Sequence, residues 1–477
     1  MNVPGPSQGP GREPSQTRNQ MRVGLCDVYN NSTRRAQDRA SPCARLAPVV
    51  SIQGSAARFL RSGSSIALAM GVMSIATYGF TMIAARMLGP GSYGELVAVM
   101  NTLLVLSVLQ LGLQATAARR ISAQPEHVAQ IEDSILRVSW RASLALGALC
   151  LLLGPVIDRV LKLGDVTGSP ATWAPSWTAV LMAVTVVPMT MMGGQAGILQ
   201  GERRWWPLAV LYMANGVPRL VIGVALMLWQ PSAFTAVIGV TIGQFAPVVV
   251  GWFALRHGRS AAEGTEDHRA RHVMKETLHN SQALLAFFAL SNVDIIVARN
   301  VLEGHEAGLY AGGLIMTKAV LFLPQFVVVV AFPAMATAAA RRRALVRSLT
   351  AVALIGALAT AGAAVLSGIA MIFVGGAKYL EIEDDLWLFA VLGTVLSMLQ
   401  LLVYSVLARR GQRSIYLVWA TLAALVGFGL LADTLEGLLT VVLVADATLF
   451  VVLLALSLYL VRHPAPETDH EASSVSS

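Results

Sequence analysis

The chain has 477 residues, of which 55% are hydrophobic and only 13% charged, with a net charge of +8 at pH 7. A soluble domain of this length needs more charge to cover its surface, which excludes a water-exposed globule and leaves a polytopic membrane protein. The basic residues recur as short clusters between apolar runs and are not interleaved with aromatics in one domain, so nucleic acid is not an expected partner.

Residues 1–55 are rich in Pro, Gly, Ser, Gln and Arg and hold too little apolar surface to offset the entropy of ordering. They are expected to form a disordered basic cytoplasmic tail, with Met21 as an alternative start. No apolar h-region follows closely enough to make a cleavable signal peptide.

Twelve apolar spans follow, at about 63–84, 95–116, 138–158, 173–199, 207–229, 233–255, 278–300, 308–334, 345–373, 385–407, 415–432 and 437–461. Each is near the twenty or so residues that cross a hydrocarbon core of about 30 Å. Lys and Arg fall mainly in alternate loops: Arg119 and Arg120, Arg137 and Arg141, Arg203 and Arg204, the run from Arg256 to Lys275, Arg341 to Arg347, and Arg409 to Arg413. The intervening loops carry Arg86, Arg159, Lys162, Arg299 and Lys378, with acid at Glu381, Glu383, Asp384, Asp385, Asp433 and Glu436. The positive-inside rule then places both termini in the cytoplasm.

Spans 1 and 7 end in nearly the same words. Ile83-Ala84-Ala85-Arg86, then Leu88 and Gly94, matches Ile296-Val297-Ala298-Arg299, then Leu302 and Gly308. The copies stand roughly half a chain length apart, which marks a duplicated bundle. Six spans per half is an even number, so the two lobes, 56–255 and 278–462, are parallel repeats, and a cavity between them is the expected substrate site. The fold class is therefore an all-α polytopic membrane protein of about 12 transmembrane helices in two six-helix lobes.

A polar cytoplasmic linker, 256–277, divides the lobes, and residues 463–477 form a second disordered tail. His257, His268, His272 and His279 lie in or beside that linker among Arg, Glu and Thr, without a nearby Cys or an HExxH context, so no metal is expected. Cys26, Cys43 and Cys150 have no CxxC spacing and make no disulfide framework.

The segment Arg86-Met87-Leu88-Gly89-Pro90-Gly91-Ser92-Tyr93-Gly94 resembles the R-x-L-G-P-x-x-Y-G turn of polysaccharide-export flippases in the multidrug/oligosaccharidyl-lipid/polysaccharide superfamily. Gly197 to Arg203 resembles the loop after span 4 of those proteins, and Asn292-Val293-Asp294 running to Glu306-Ala307-Gly308-Leu309-Tyr310 resembles their turn between spans 7 and 8. The resemblance covers the chain after its tail. It implies a flippase of the bacterial plasma membrane that carries a polyprenyl-diphosphate-linked oligosaccharide outward by alternating access, alongside membrane lipids and polysaccharide assembly partners, with no cofactor and no catalytic residue. Physically, Gly89, Pro90, Gly91 and Gly94 permit a tight reversal, and Arg86 can snorkel to lipid phosphates. A purely structural hairpin is the alternative reading of Arg86 and Arg299.

Arg219 lies about twelve residues, or about 18 Å, into span 5, and Lys318 about ten residues into span 8, so both sit near mid-depth. The preceding Asn215-Gly216-Val217-Pro218 is expected to kink or unwind its helix. A charge facing lipid there costs about 2.5 to 3.5 kcal/mol, so both cations should face the cleft between the lobes and meet an anionic head group. An internal ion pair with Asp294 or Asp446 is the alternative. Those two acids are candidates for proton coupling or for plain counter-ions.

No P-loop GxxxxGK[ST] occurs, and the membrane potential alone drives an anion outward by about 2.3 kcal/mol per charge per 100 mV. A cation-coupled multidrug exporter of the same superfamily is the closest rival, although residues 63–84 lack the acid common there. A membrane glycosyltransferase or polymerase is a further rival, disfavoured by outer loops that are all short.

Overall fold

A computed structural model describes residues 47–162, 177–256, 270–322, 338–407 and 412–462. The chain divides into two units, residues 1–64 and 65–477, and the second carries the architecture set out below. The expected tails, apart from residues 47–55, and most of the expected linker lie outside the described residues, as do the side chains of the linker histidines.

Among the described residues the structure is helical throughout, without strands. The first lobe comprises α1 (Ala47–Leu88), α2 (Pro90–Leu106), α3 (Val108–Ala123), α4 (Val128–Leu152), α5 (Gly154–Leu161), α6 (Trp177–Gly201), α7 (Trp205–Trp229), α8 (Ala233–Gly243) and α9 (Phe245–Leu255). The second lobe comprises α10 (Ala270–Val301), α11 (Gly304–Phe322), α12 (Ala338–Val365), α13 (Ser367–Val374), α14 (Leu386–Leu407), α15 (Gln412–Gly429) and α16 (Leu435–Arg462). Every one of the predicted spans meets a helix. Among the described residues ten helical segments are long and apolar enough to cross a membrane, and the protein is a multi-pass membrane protein. The two spans outside that set are α11, which carries His305, Glu306 and Lys318, and the short α15. Leu68, Ile75, Leu228, Trp229, Leu354 and Val365 are large, apolar and exposed, as a lipid-facing surface requires.

Several boundaries differ from those expected. The helix α1 begins at Ala47, inside the segment read as tail: Pro48 suits a first helical turn and apolar residues follow it. Span 2 is longer than expected, running from Pro90 to Ala123 with an interruption at Ser107. Spans 3 and 9, expected as single runs, each end early and are followed by a separate short helix, α5 and α13. At α5 the cause is local, because Pro155 has no N–H to continue the preceding ladder and restricts the residue before it. The expected unwinding at Asn215–Pro218 does not occur, and α7 is continuous through Pro218.

The hairpin between α1 and α2 reverses at one residue. Gly89 has φ of 73°, a conformation that costs a side-chain-bearing residue energy, and Pro90 follows at the first helical position. Within the first lobe, α6 uses small residues for close approach. A Cβ at Gly193 would lie 2.3 Å from Gln110 O, and one at Gly197 would lie 2.5 Å from Gln114 O, so the backbones of α3 and α6 are in direct contact.

The lobes meet along α2, α10 and α11. At the end carrying the Gly89 hairpin, the matched glycines of the repeat touch each other: a Cβ on Gly94 would lie 3.1 Å from Gly308 Cα, and one on Gly308 would lie 2.0 Å from Pro90 O. Tyr93 is buried there with its ring edge-on to Tyr379, centroids 6.3 Å apart.

Candidate functional site

In the first lobe, α7 and α8 cross so closely that a Cβ on Gly243 would lie 2.7 Å from Arg219 Cα. This crossing fixes the root of the Arg219 side chain. Its guanidinium lies over the ring of Phe80 from α1, 5.9 Å from the centroid, a cation–π contact. The Nε of Arg219 is buried without a hydrogen-bond partner, and among the described residues no carboxylate pairs with the group. Neighbouring polar side chains are occupied with one another: Gln244, at the break between α8 and α9, donates to Asn215 Oδ1 at 3.1 Å. Arg219 is therefore a cation that the protein leaves uncompensated.

The second lobe treats its cation differently. Lys318 of α11 donates to Ser291 O at 3.1 Å and to Asn292 Oδ1 at 2.8 Å, both on α10. Asp294 and Asp446 lie within electrostatic range of it. Asp294 is itself engaged, accepting from Tyr310 Oη at 3.2 Å and from the Ile295 backbone N–H at 2.9 Å. Asp446, 1% exposed on α16, has no hydrogen-bond partner at either carboxylate oxygen. Lys318, Asp294 and Asp446 thus lie in one neighbourhood, and among the described residues no direct ion pair joins them. Arg219 belongs to neither acid.

The motif arginines are held between the lobes. Arg86 donates from Nη2 to Ile372 O at the end of α13, a protein carbonyl in place of the lipid phosphate its sequence suggested. Arg299, only 6% exposed, donates from Nε to Leu161 O at 3.1 Å and from Nη2 to Lys162 O at 2.6 Å, at the end of α5. It also stands 3.7 Å from Glu95. Each arginine meets the carbonyl end of a short helix in the opposite lobe, where the backbone lacks intrahelical donors and the dipole favours a cation.

In the sequence Lys162 and Lys378, which complete this arrangement, stand out only as loop charges and Phe80 not at all, while Asn292 and Tyr310, which surround the buried charges, belong to the motif between spans 7 and 8. A signal for the lysines existed: both follow short helices placed at matching positions in the two repeats. A surface cleft of about 520 Å³ lined by Ile121, Pro125, Glu126, Gly201 and Arg203 lies elsewhere, and none of the predicted site residues borders it. Among the described residues, no group of three or more His, Cys, Asp or Glu side chains is placed to hold a metal ion.

Solved structures share this fold at low sequence identity. An inward-facing multidrug resistance MATE family transporter of the MOP superfamily superposes with a TM-score of 0.66 at 14% identity, over 82% of this chain and 96% of that one. The lipid II flippase MurJ in its inward closed conformation gives 0.62 at 14% identity, over 82% and 86%. The eukaryotic MATE transporter AtDTX14 gives 0.57 at 14% identity, over 84% and 96%. No curated protein matches the chain in sequence. Residues 59–339, more than half of the chain, match the family described as polysaccharide biosynthesis protein, and the chain belongs to that family.

Proposed function

We propose that the protein is a flippase that moves a polyprenyl-diphosphate-linked oligosaccharide from the inner to the outer leaflet of a bacterial plasma membrane by alternating access, with both termini cytoplasmic. The observation that carries this reading is the uncompensated Arg219. Its position within an apolar span makes an unpaired guanidinium costly unless an anion completes it, and a diphosphate offers two parallel hydrogen bonds to the planar fork. Lys318 joins the head group by exchanging Asn292 for a phosphate oxygen, while Arg86 and Arg299 meet it at the hairpin end. The membrane-embedded Asp294 and Asp446 couple the cycle to a cation or proton.

The unpartnered Asp446 supports the rival reading, export of an organic cation, since such a carboxylate suits a positive ligand. One experiment separates the two. In vesicles reconstituted with the purified protein, a fluorescent polyprenyl-diphosphate sugar should become accessible at the opposite leaflet, a neutral analogue should not, and Arg219→Gln should abolish the difference. Accumulation of a cationic dye without movement of the diphosphate lipid would replace the flippase with the exporter.

A further inference from the structure

Four cations at the hairpin end join the lobes in a reciprocal pattern. Arg86 on α1 reaches the carbonyl end of α13, and Arg299 on α10 reaches the carbonyl end of α5. The lysines beyond those short helices return the contact: Lys162 Nζ donates to Asn300 O at 3.0 Å near the end of α10, and Lys378 Nζ donates to Arg86 O at 3.0 Å near the end of α1. Lys378 also reaches Met87 O at 3.5 Å, and Met87 and Asn300 occupy matching positions of the repeat. Four helix ends, two from each lobe, are thus capped by cations from the other lobe.

We propose that Arg86, Arg299, Lys162 and Lys378 form a two-fold latch that holds the lobes together at this end, and that its release is the step that opens it. The proposal rests on the alternating-access reading. The chemistry suits a latch more than a permanent weld. Terminal carbonyls take water when a cation leaves, so each bond contributes only about 0.5 to 1.5 kcal/mol net. Arg86, Lys162 and Lys378 are exposed and reach water directly. Between them, Gly94 and Gly308 meet without side chains, while Tyr93 and Tyr379 pack edge-on beside them, so parting the seam also separates one pair of buried rings.

The test uses the full-length protein with Cys26, Cys43 and Cys150 replaced by Ser, and spin labels on cysteines introduced at Val156 and Ile369, exposed positions on α5 and α13. Pulsed dipolar spectroscopy in lipid nanodiscs reads the ratio of short to long inter-lobe distances. Lys162→Gln with Lys378→Gln should shift that ratio about tenfold toward the long distance, equivalent to about 1.4 kcal/mol, and the corresponding double Lys→Arg variant should restore it. Gly308→Ala, whose Cβ would lie 2.0 Å from Pro90 O, should move the ratio in the same direction by wedging the seam. An unchanged ratio in both the Lys→Gln and Gly→Ala variants would overturn the latch. A shifted ratio in a protein that fails to move the diphosphate lipid would overturn the proposed cargo and leave the latch standing.

Discussion

Replacing Arg219 by Met should strengthen the fold while weakening the function. The side chain is anchored where α7 and α8 cross, and among the described residues the compensation for its charge is the face of Phe80 at 5.9 Å. That contact offsets about 0.5 to 2 kcal/mol, against a penalty of several kcal/mol for an unpaired cation taken out of water. Arg219 is partly exposed, so part of the penalty is relieved by solvent. Met keeps the apolar stem and removes the charge, and a net gain of about 1 to 2 kcal/mol is expected, read as a rise of a few degrees in melting temperature in detergent. Binding of a short-chain polyprenyl diphosphate, measured by calorimetry in the same detergent, should weaken by about 10- to 150-fold, the worth of about 1.5 to 3 kcal/mol of charge-assisted hydrogen bonding. Arg219→Lys should fall between, because it keeps the charge and loses the fork. A lower melting temperature with undiminished binding would show that the guanidinium serves packing, and the cationic-site reasoning would fail.

Three further outcomes follow from the geometry. Gly197→Val should lower thermal stability by about 1 to 3 kcal/mol or more, since its Cβ would lie 2.5 Å from Gln114 O and 2.7 Å from Ala117 Cβ; a melting curve matching wild type would contradict the α3–α6 contact. Asp446→Asn removes a carboxylate with no hydrogen-bond partner, so stability should hold or rise while transport driven by an imposed proton or sodium gradient drops at least about tenfold; undiminished gradient-driven transport would remove Asp446 from coupling. Asp385, just before the start of α14 at Leu386, has its carboxyl raised above the usual range by burial, then by the nearby Glu436 and Asp384 charges. Its folded pKa therefore exceeds the unfolded one, so the stability it contributes is complete below the unfolded pKa and is lost as pH rises through the folded value. Melting temperature across mildly acidic pH should fall less steeply in Asp385→Asn than in wild type, and identical slopes would exclude this carboxyl as the cause.

The sequence by itself determined the solvent, the helical class, the placement of the spans and the duplication. Whether a segment enters a membrane depends on the transfer of its own side chains, a sum over neighbours in the chain that can be read without knowing what lies across from it. The reversal at Gly89-Pro90 was legible for the same reason, because positive φ and a fixed proline ring are local demands. What each charge touches was not local. Lys318 and Arg219 look alike as mid-span cations, yet one lies among Ser291, Asn292, Asp294 and Asp446 and the other, among the described residues, against Phe80. Arg86 looks like a lipid anchor and Arg299 like its repeat copy until the opposite lobe brings the ends of α13 and α5 within reach. Those pairings depend on which helix faces meet between residues hundreds of positions apart, and only the packed bundle decides that, since close-packed helices admit few arrangements and the identity of each neighbour is set by all the others.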